Sequence, residues 1–259
     1  ALSDFISKEC IKKYGVFSGS IVYADYGTFE YADPDGVFNG SSFSARDFML
    51  QIGHSRRLLD NLQLGINIKL AASFYEQYTS CGIGADLSMT YYNKDKMFGA
   101  SIITQNIGSS VSTFYFSFDQ HFPKLPFAMH IGCNKKLEHA PIRLHFVYHD
   151  LQCWNLSDVN IATTGDPNLI KDFSKDLFNH VVFASEFLFS ENFQFRLGYD
   201  FLNRNSLRPQ SRPATTGISW GVGIKIKKLA INYSNAKYHM SGTANNITIL
   251  KKIGRSKEN

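Results

Sequence analysis

No stretch of this 259-residue chain approaches the roughly 18 consecutive apolar residues that a membrane-crossing helix needs. That excludes a helical membrane protein. It does not exclude a β-barrel, because alternation of apolar and polar residues dilutes every window average. Cysteine is scarce: Cys10, Cys81, Cys133 and Cys153 stand far apart, with no CxxC pair and no His at metal spacing. All four are expected as free thiols, with Cys81 and Cys133 on the apolar faces of strands, where a thiol acts as a small hydrophobe. Only seven prolines interrupt the chain. The formal net charge of +5 is modest, and its basic residues are scattered, apart from Lys251, Lys252, Arg255 and Lys257 in the tail. There is no dense basic stripe with interleaved aromatics, so nucleic acid is not an expected partner. No GxSxG elbow is present. Gly221 and Gly223 alternate with Trp220, Val222 and Ile224 and no helix start follows, so they do not make a phosphate loop. The chain opens Ala-Leu-Ser-Asp-Phe-Ile, without the basic and apolar regions of a secretory signal.

What the chain has in quantity is aromatics, 22 Phe and 13 Tyr, and alternation. The clearest case is Leu62 to Tyr75, LQLGINIKLAASFY. Leu62, Leu64, Ile66, Ile68, Leu70, Ala72 and Phe74 fall on one face; Gln63, Gly65, Asn67, Lys69, Ala71, Ser73 and Tyr75 fall on the other. The stretch is about twice the usual five or six residues of a strand. It reads either as an edge strand lying on the core of a soluble sandwich or as a membrane barrel strand, apolar side to lipid.

The rest of the chain repeats the pattern. Strands are expected over residues 15–26, 43–58, 62–75, 78–92, 97–106, 126–137, 142–151, 179–189, 193–203, 215–226, 229–238 and 245–253, with the tail of another at 1–6. A three-residue loop at 59–61 sets Ile52 against Ile68 and Leu50 against Leu70. Connections at 59–61, 93–95, 138–141, 190–192 and 227–228 are tight; those at 27–42, 107–125, 155–178, 203–213 and 239–244 are longer. The turn at Gln77 is short but falls on the long side of this series. Short turns on one rim and long loops on the other are the habit of outer-membrane barrels, while a Greek-key sandwich need not show that order. The expected fold is all-β: one antiparallel up-and-down transmembrane β-barrel domain over residues 1–259, in the outer membrane. About 12 strands are present. The strand tail at 1–6, set against the even strand number of bacterial barrels, implies that another strand precedes it, giving about 14, and that the N-terminal part of the protein is missing. The alternative is a twelve-stranded barrel with residues 1–14 as a periplasmic extension.

Four stretches, DFMLQIGHSRRLLDNLQLGINIKL (47–70), LPFAMHIGCNKKLEHAPIRLHFVYHDLQCWNL (125–156), SRPATTGISWGVGIKIKK (211–228) and YSNAKYHMSGTANNITI (233–249), together resemble the PorQ family of the type IX secretion system in Bacteroidetes. The KKLEHAPIR hairpin and the Leu-Gln-Cys-Trp-Asn segment are the most specific, and the resemblance runs from about residue 15 to the end. It implies a FadL-like barrel of about fourteen strands that begins with a signal and a plug segment, both missing from this chain along with the first strand or two. It further implies a non-catalytic scaffold of the attachment complex, with PorU-like, PorV-like and PorZ-like partners and outer-membrane lipid. There the chain would anchor a PorZ-like protein while secreted cargo is joined to the cell surface. A FadL-type transporter or channel for small hydrophobic molecules is the alternative.

No catalytic, cofactor-binding or metal-binding residues are expected, and no cofactor. His145 and His149, four apart on one strand, would suit a metal pair or an acid/base couple. Without a third ligand they read instead as lumen-facing polar residues. A lumen network of Lys69, Asp86, Arg143 and His145 is expected, with Asp86 held by a cation such as Lys69 or Arg143. In the long loops Tyr31, Asp33, Tyr115, Phe116, Phe118 and Phe122 are candidates for docking a partner protein. The competing reading gives those aromatics to strand ends or an interfacial girdle. Asp158, Asp166, Asp172 and Asp176 make the 155–178 loop acidic and read as a solvated loop ahead of a calcium site.

Overall fold

The structure, a computed structural model, describes residues 14–32, 35–112, 124–154, 176–206, 215–237 and 242–251. Twelve strands follow one another: β1 (Val16–Ala32), β2 (Phe38–Leu59), β3 (Leu62–Tyr75), β4 (Tyr78–Asn93), β5 (Phe98–Ser112) and β6 (Ala128–Lys136), then β7 (Ile142–Tyr148), β8 (Val181–Phe187), β9 (Phe193–Asp200), β10 (Ile218–Ile226), β11 (Leu229–Ala236) and β12 (Ala244–Lys251). Each pairs antiparallel with the next, giving one up-and-down sheet in the order β1 to β12. Among the described residues the sheet is not closed, and β1 and β12 are its two edges.

The alternation decides what each face carries. Ile52 pairs with Ile68 and Leu50 with Leu70, and β3 continues that register into β4 through Ile66–Leu87 and Leu70–Ile83. One face of the sheet is therefore apolar from β1 to β12. Opposite it lie Gln51, Asn67, Lys69, Asp86, His145, Glu186 and Arg196. Among the described residues nothing covers the apolar face. Ile66 is 44% exposed, Ile68 49% and Leu70 48%. Among the described residues only Ala45 and Val181 are buried apolar side chains. A soluble sandwich buries one face of each sheet under another, so this arrangement rules that reading out. It is the inside-out distribution of a membrane β-barrel, apolar outside and polar within. Among the described residues no helix is long and apolar enough to cross a membrane.

Aromatic residues cluster at both ends of the outer face on β8 and β9. Near the short turn, Phe187, Phe189, Phe193 and Phe195 lie in a chain of ring contacts with centroids 5.8–6.2 Å apart. At the opposite end Tyr199, Phe201 and Phe178 form a second chain at 4.7 and 5.6 Å. Two such belts bracket the apolar band of a membrane barrel, where amphipathic rings suit the interface.

The strands differ in height. β1 to β5 run for 14 to 22 residues, whereas β6 to β12 run for seven to nine. About nine to eleven tilted residues cross a bilayer. The surplus lies on the long-loop side. β3 stops pairing at Ala45–Tyr75, leaving Phe38–Ser44 of β2 to rise above it with β1. β6 stops at Gln105–Ala128, and β5 continues to Ser112 with one further bridge, Ser109 to Lys124.

Four expectations need correcting. Most of the 27–42 loop is strand: β1 runs on to Ala32 and β2 begins at Phe38. A bulge between Asp25 and Thr28, with Gly27 at φ 89°, shifts the alternation there and hides it from a period-two reading. The first part of the 107–125 loop is likewise the end of β5. The turn at 59–61 is a two-residue turn, Asp60–Asn61, with the register shift placed between Arg57 and Leu59. The parity needed to align the two apolar faces comes from that bulge instead of from a three-residue loop. Last, the strand expected over 193–203 ends at Asp200, and a short helix α1 (Phe201–Ser206) follows. Asp200 caps it, its carboxylate accepting from the Asn203 backbone N–H at 3.0 Å and from Asn203 Nδ2 at 2.6 Å.

Candidate functional site

Among the described residues the inner face concentrates the polar chemistry, and two ionic clusters lie in mid-strand on it. On β3 and β4, Lys69 Nζ stands 2.8 Å from Asp86 Oδ1 and donates to Asn106 Oδ1 at 3.0 Å. Asp86 also accepts from Asn67 Nδ2 and from the Asn106 backbone N–H, while Asn67 donates to Gln51. Asn106 reaches this carboxylate because β5 bulges opposite Asp86: its φ is 58° and the ladder shifts between Ala85 and Leu87. The second cluster centres on Glu186 of β8, a residue that sequence reading did not single out. Its side chain is 6% exposed, with Arg143 Nη1 at 2.8 Å, Arg196 Nε at 2.9 Å and His145 Nε2 at 3.8 Å. The Gln194 amide, turned to satisfy its neighbours, joins Glu186 to Arg196.

Of the expected network, then, Lys69 and Asp86 come together, and so do Arg143 and His145, but the two pairs belong to different clusters. Arg143 is not the partner of Asp86; the pairing of β7 with β8 sets it opposite Glu186. Below the Asp86 cluster, Ser18, Ser20, Gln51, Gln63, Asn67, Asp86 and Ser88 line a polar hollow of about 710 Å3.

Higher on the same face, Tyr26, Phe29, Phe43 and Tyr75 surround a smaller pocket of about 340 Å3, with Ala45 between them. Asp47, two residues along β2 from Ala45, accepts from Tyr26 Oη at 2.6 Å and from Tyr75 Oη at 3.0 Å. Ser73 is its third donor. Tyr31, the one docking candidate among the described residues, sits here within β1, its ring 5.0 Å from Phe43. Asp33, Tyr115, Phe116, Phe118 and Phe122 lie outside the described residues.

A third cluster lies where β7 ends and β8 begins. His180 is fully buried, its ring stacked 4.9 Å from Tyr148 and near Trp154 and His149. Its Nδ1 faces the His149 carbonyl at 2.7 Å and its Nε2 the Trp154 carbonyl at 3.2 Å. Both ring nitrogens thus face backbone acceptors, and the imidazole ties the end of β7 to the segment that follows it. His149 does not join His145 in a metal pair; its Nδ1 is 2.8 Å from Asp150 Oδ2. Burial pushes the Asp150 carboxyl up, but hydrogen bonds from His149 and Gln152 outweigh it and hold the group below its ordinary value. Among the described residues no group of three or more His, Cys, Asp or Glu is placed to hold a metal. Asp176 is buried; Asp158, Asp166 and Asp172 are outside the described residues.

Comparison with solved structures places this architecture. The toluene transporter TbuX of Ralstonia pickettii superposes with a TM-score of 0.52 at 12% identity, covering 92% of this chain and 78% of that one. The toluene transporter TodX of Pseudomonas putida gives a TM-score of 0.49 at 12% identity, covering 85% and 72%. The TbuX likeness shows the fold: an up-and-down antiparallel β-barrel architecture. No family model matches the chain, and no curated protein matches it.

Proposed function

We propose that this chain is an outer-membrane barrel that acts as a non-catalytic scaffold, presenting its long-loop rim to partner proteins at the cell surface. The observation that carries this reading is the height of the β1–β5 wall. Its surplus residues stand clear of the neighbouring strands on the long-loop side and bring Tyr31, Phe29 and Phe43 with them. Surface aromatics on a rigid hairpin are anchors for a protein partner. The resemblance of four sequence stretches to the PorQ family supplies the finer statement: the partner is a PorZ-like protein of a type IX attachment complex, alongside PorU-like and PorV-like subunits. A clean deletion is expected to leave secreted cargo unattached, and a tagged copy to co-purify with the PorZ-like partner. Normal cargo attachment in the deletion strain overturns the proposal.

A second reading has its own support. TbuX is named as a toluene transporter, and the shared fold makes a conduit for small hydrophobic molecules the natural alternative. One fold serves many functions, but the likeness to TbuX favours this side. Against it stands the inner face, where Lys69, Asp86, Glu186 and Arg196 are poor company for an apolar solute. Loss of monoaromatic uptake in the deletion strain, with cargo attachment intact, would select the conduit.

A further inference from the structure

The aromatic pocket on the upper inner face has a feature that neither reading uses. Asp47 is held by three hydroxyl groups, those of Tyr26, Tyr75 and Ser73, and by no cation among the described residues. The two other carboxylates in mid-strand on this face are neutralised, Asp86 by Lys69 and Glu186 by Arg143 and Arg196. Another carboxylate on this side, Glu76 just after Tyr75, accepts from Tyr31, whereas Glu30, Asp25 and Arg46 fall on the opposite face. We propose that the Tyr26–Phe29–Phe43–Tyr75 pocket binds an organic cation of the quaternary ammonium class.

The geometry selects that class in three ways. First, the walls are ring faces and edges: Phe29 stacks on Phe43 at 5.4 Å and Tyr26 meets Tyr75 edge-on at 6.3 Å. A cation within about 6 Å of such ring centroids is attracted by their quadrupoles. Second, Tyr26 and Tyr75 donate their phenol protons to one carboxylate, which makes both rings richer in electron density toward the pocket. Third, hydroxyls take up three of the roughly four acceptor sites on Asp47, too few remaining for the three N–H groups of a primary ammonium. A primary ammonium needs acceptors for its N–H groups; a quaternary one has none to place and needs only apolar contact and negative potential. A neutral aromatic molecule fits the walls and leaves the charge of Asp47 uncompensated. The volume, about 340 Å3, lies within the range of small-ligand sites. The ammonium has two possible sources, a free solute such as choline or the headgroup of a choline lipid.

The test is calorimetric titration of the purified full chain, folded in octyl glucoside so that no phosphocholine detergent competes. Choline is one probe. Its uncharged isostere 3,3-dimethyl-1-butanol is a second, and a short-chain soluble phosphatidylcholine with its phosphatidylglycerol counterpart makes the lipid arm. Saturable choline binding at or below ~10 mM is expected, with the isostere about tenfold weaker or worse. Phe43→Leu and Asp47→Asn are each expected to weaken binding by about three- to thirtyfold. Heat-modifiable gel mobility checks that each variant is folded. Should Asp47→Asn fail to fold, Phe29→Leu, at a half-exposed ring, carries the same test. Binding of the phosphatidylcholine without free choline assigns the site to a lipid headgroup and leaves the ammonium chemistry standing. The proposal is overturned if the isostere binds as tightly as choline. It also falls if folded Phe43→Leu and Phe29→Leu bind unchanged, or if neither arm binds.

Discussion

Glu186 is the residue on which the inner wall of β7–β9 converges. With its side chain 6% exposed, it faces two guanidinium groups and one imidazole. Removing a carboxylate from such a cluster leaves like charges facing one another with their hydrogen bonds unmade. Arg143 and Arg196 are 36% and 49% exposed, so solvent screens part of that cost. Glu186→Ala is therefore expected to destabilise by about 2–3 kcal/mol, below the usual range for a fully buried pair. Arg196→Met on the Glu186→Met background should recover part of the loss. Urea titration of the folded barrel in lipid vesicles reads both. The same cluster shows where sequence reading stops. Alternation puts Arg143, His145 and Glu186 on the polar face, because parity within a strand is local. It does not say which residue of β8 stands opposite Arg143, because the chain between them is a long connection that sets no register. Lys69 and Asp86 were within reach because β3 and β4 join through a two-residue turn, Glu76–Gln77, which fixes every pair between them. Asp47 escaped notice for a related reason: its tyrosine partners come from the two flanking strands.

At the scale of the element, β3 is the sharpest statement of the fold. Its two faces meet different surroundings, and substitutions one residue apart should differ in kind. Ile68→Arg puts a cation on the apolar outer face near mid-strand, where it costs about 2–4 kcal/mol in a bilayer. Asn67→Arg puts it beside Asp86 on the inner face, and the expected loss is within about 1 kcal/mol. Folding yield into vesicles, compared for the two variants, measures the difference; equal losses would mean that the two faces share one environment. Period-two alternation made this element legible from Leu62 to Tyr75, and the bounds agree residue for residue. It failed at the upper end of β1 and β2, where the turn signal Asp33-Pro34-Asp35-Gly36 reads as a loop over 27–42 and the bulge at Gly27 breaks the alternation. Bulges preserve pairing while breaking parity, so a strand that contains one looks irregular in sequence. The end of β9 failed in the opposite direction: the pattern ran on into Phe201, but Asp200 starts a helix there.

For the molecule as a whole, the open sheet is the dominant fact. β1 and β12 each have one neighbour, and every other strand has two. Unpaired backbone groups on an edge are costly in lipid and act as templates for further strand pairing. Hydrogen exchange of the 259-residue chain in vesicles is expected to be fastest in β1 and β12, and at least about tenfold slower in β3, β7 and β10. Uniform protection across the twelve strands would mean that the two edges are paired.

The unequal height of the wall also acts on the surrounding bilayer. Seven residues of β7 or β8 span about 23 Å even if upright, less than the roughly 30 Å of a hydrocarbon core. The 22 residues of β2 exceed it on any plausible tilt. Lipid beside β7–β9 must thin to meet the Phe187–Phe195 and Tyr199–Phe201 belts, whereas lipid beside β2–β4 need not. The molecule thus carries a built-in hydrophobic mismatch on one flank.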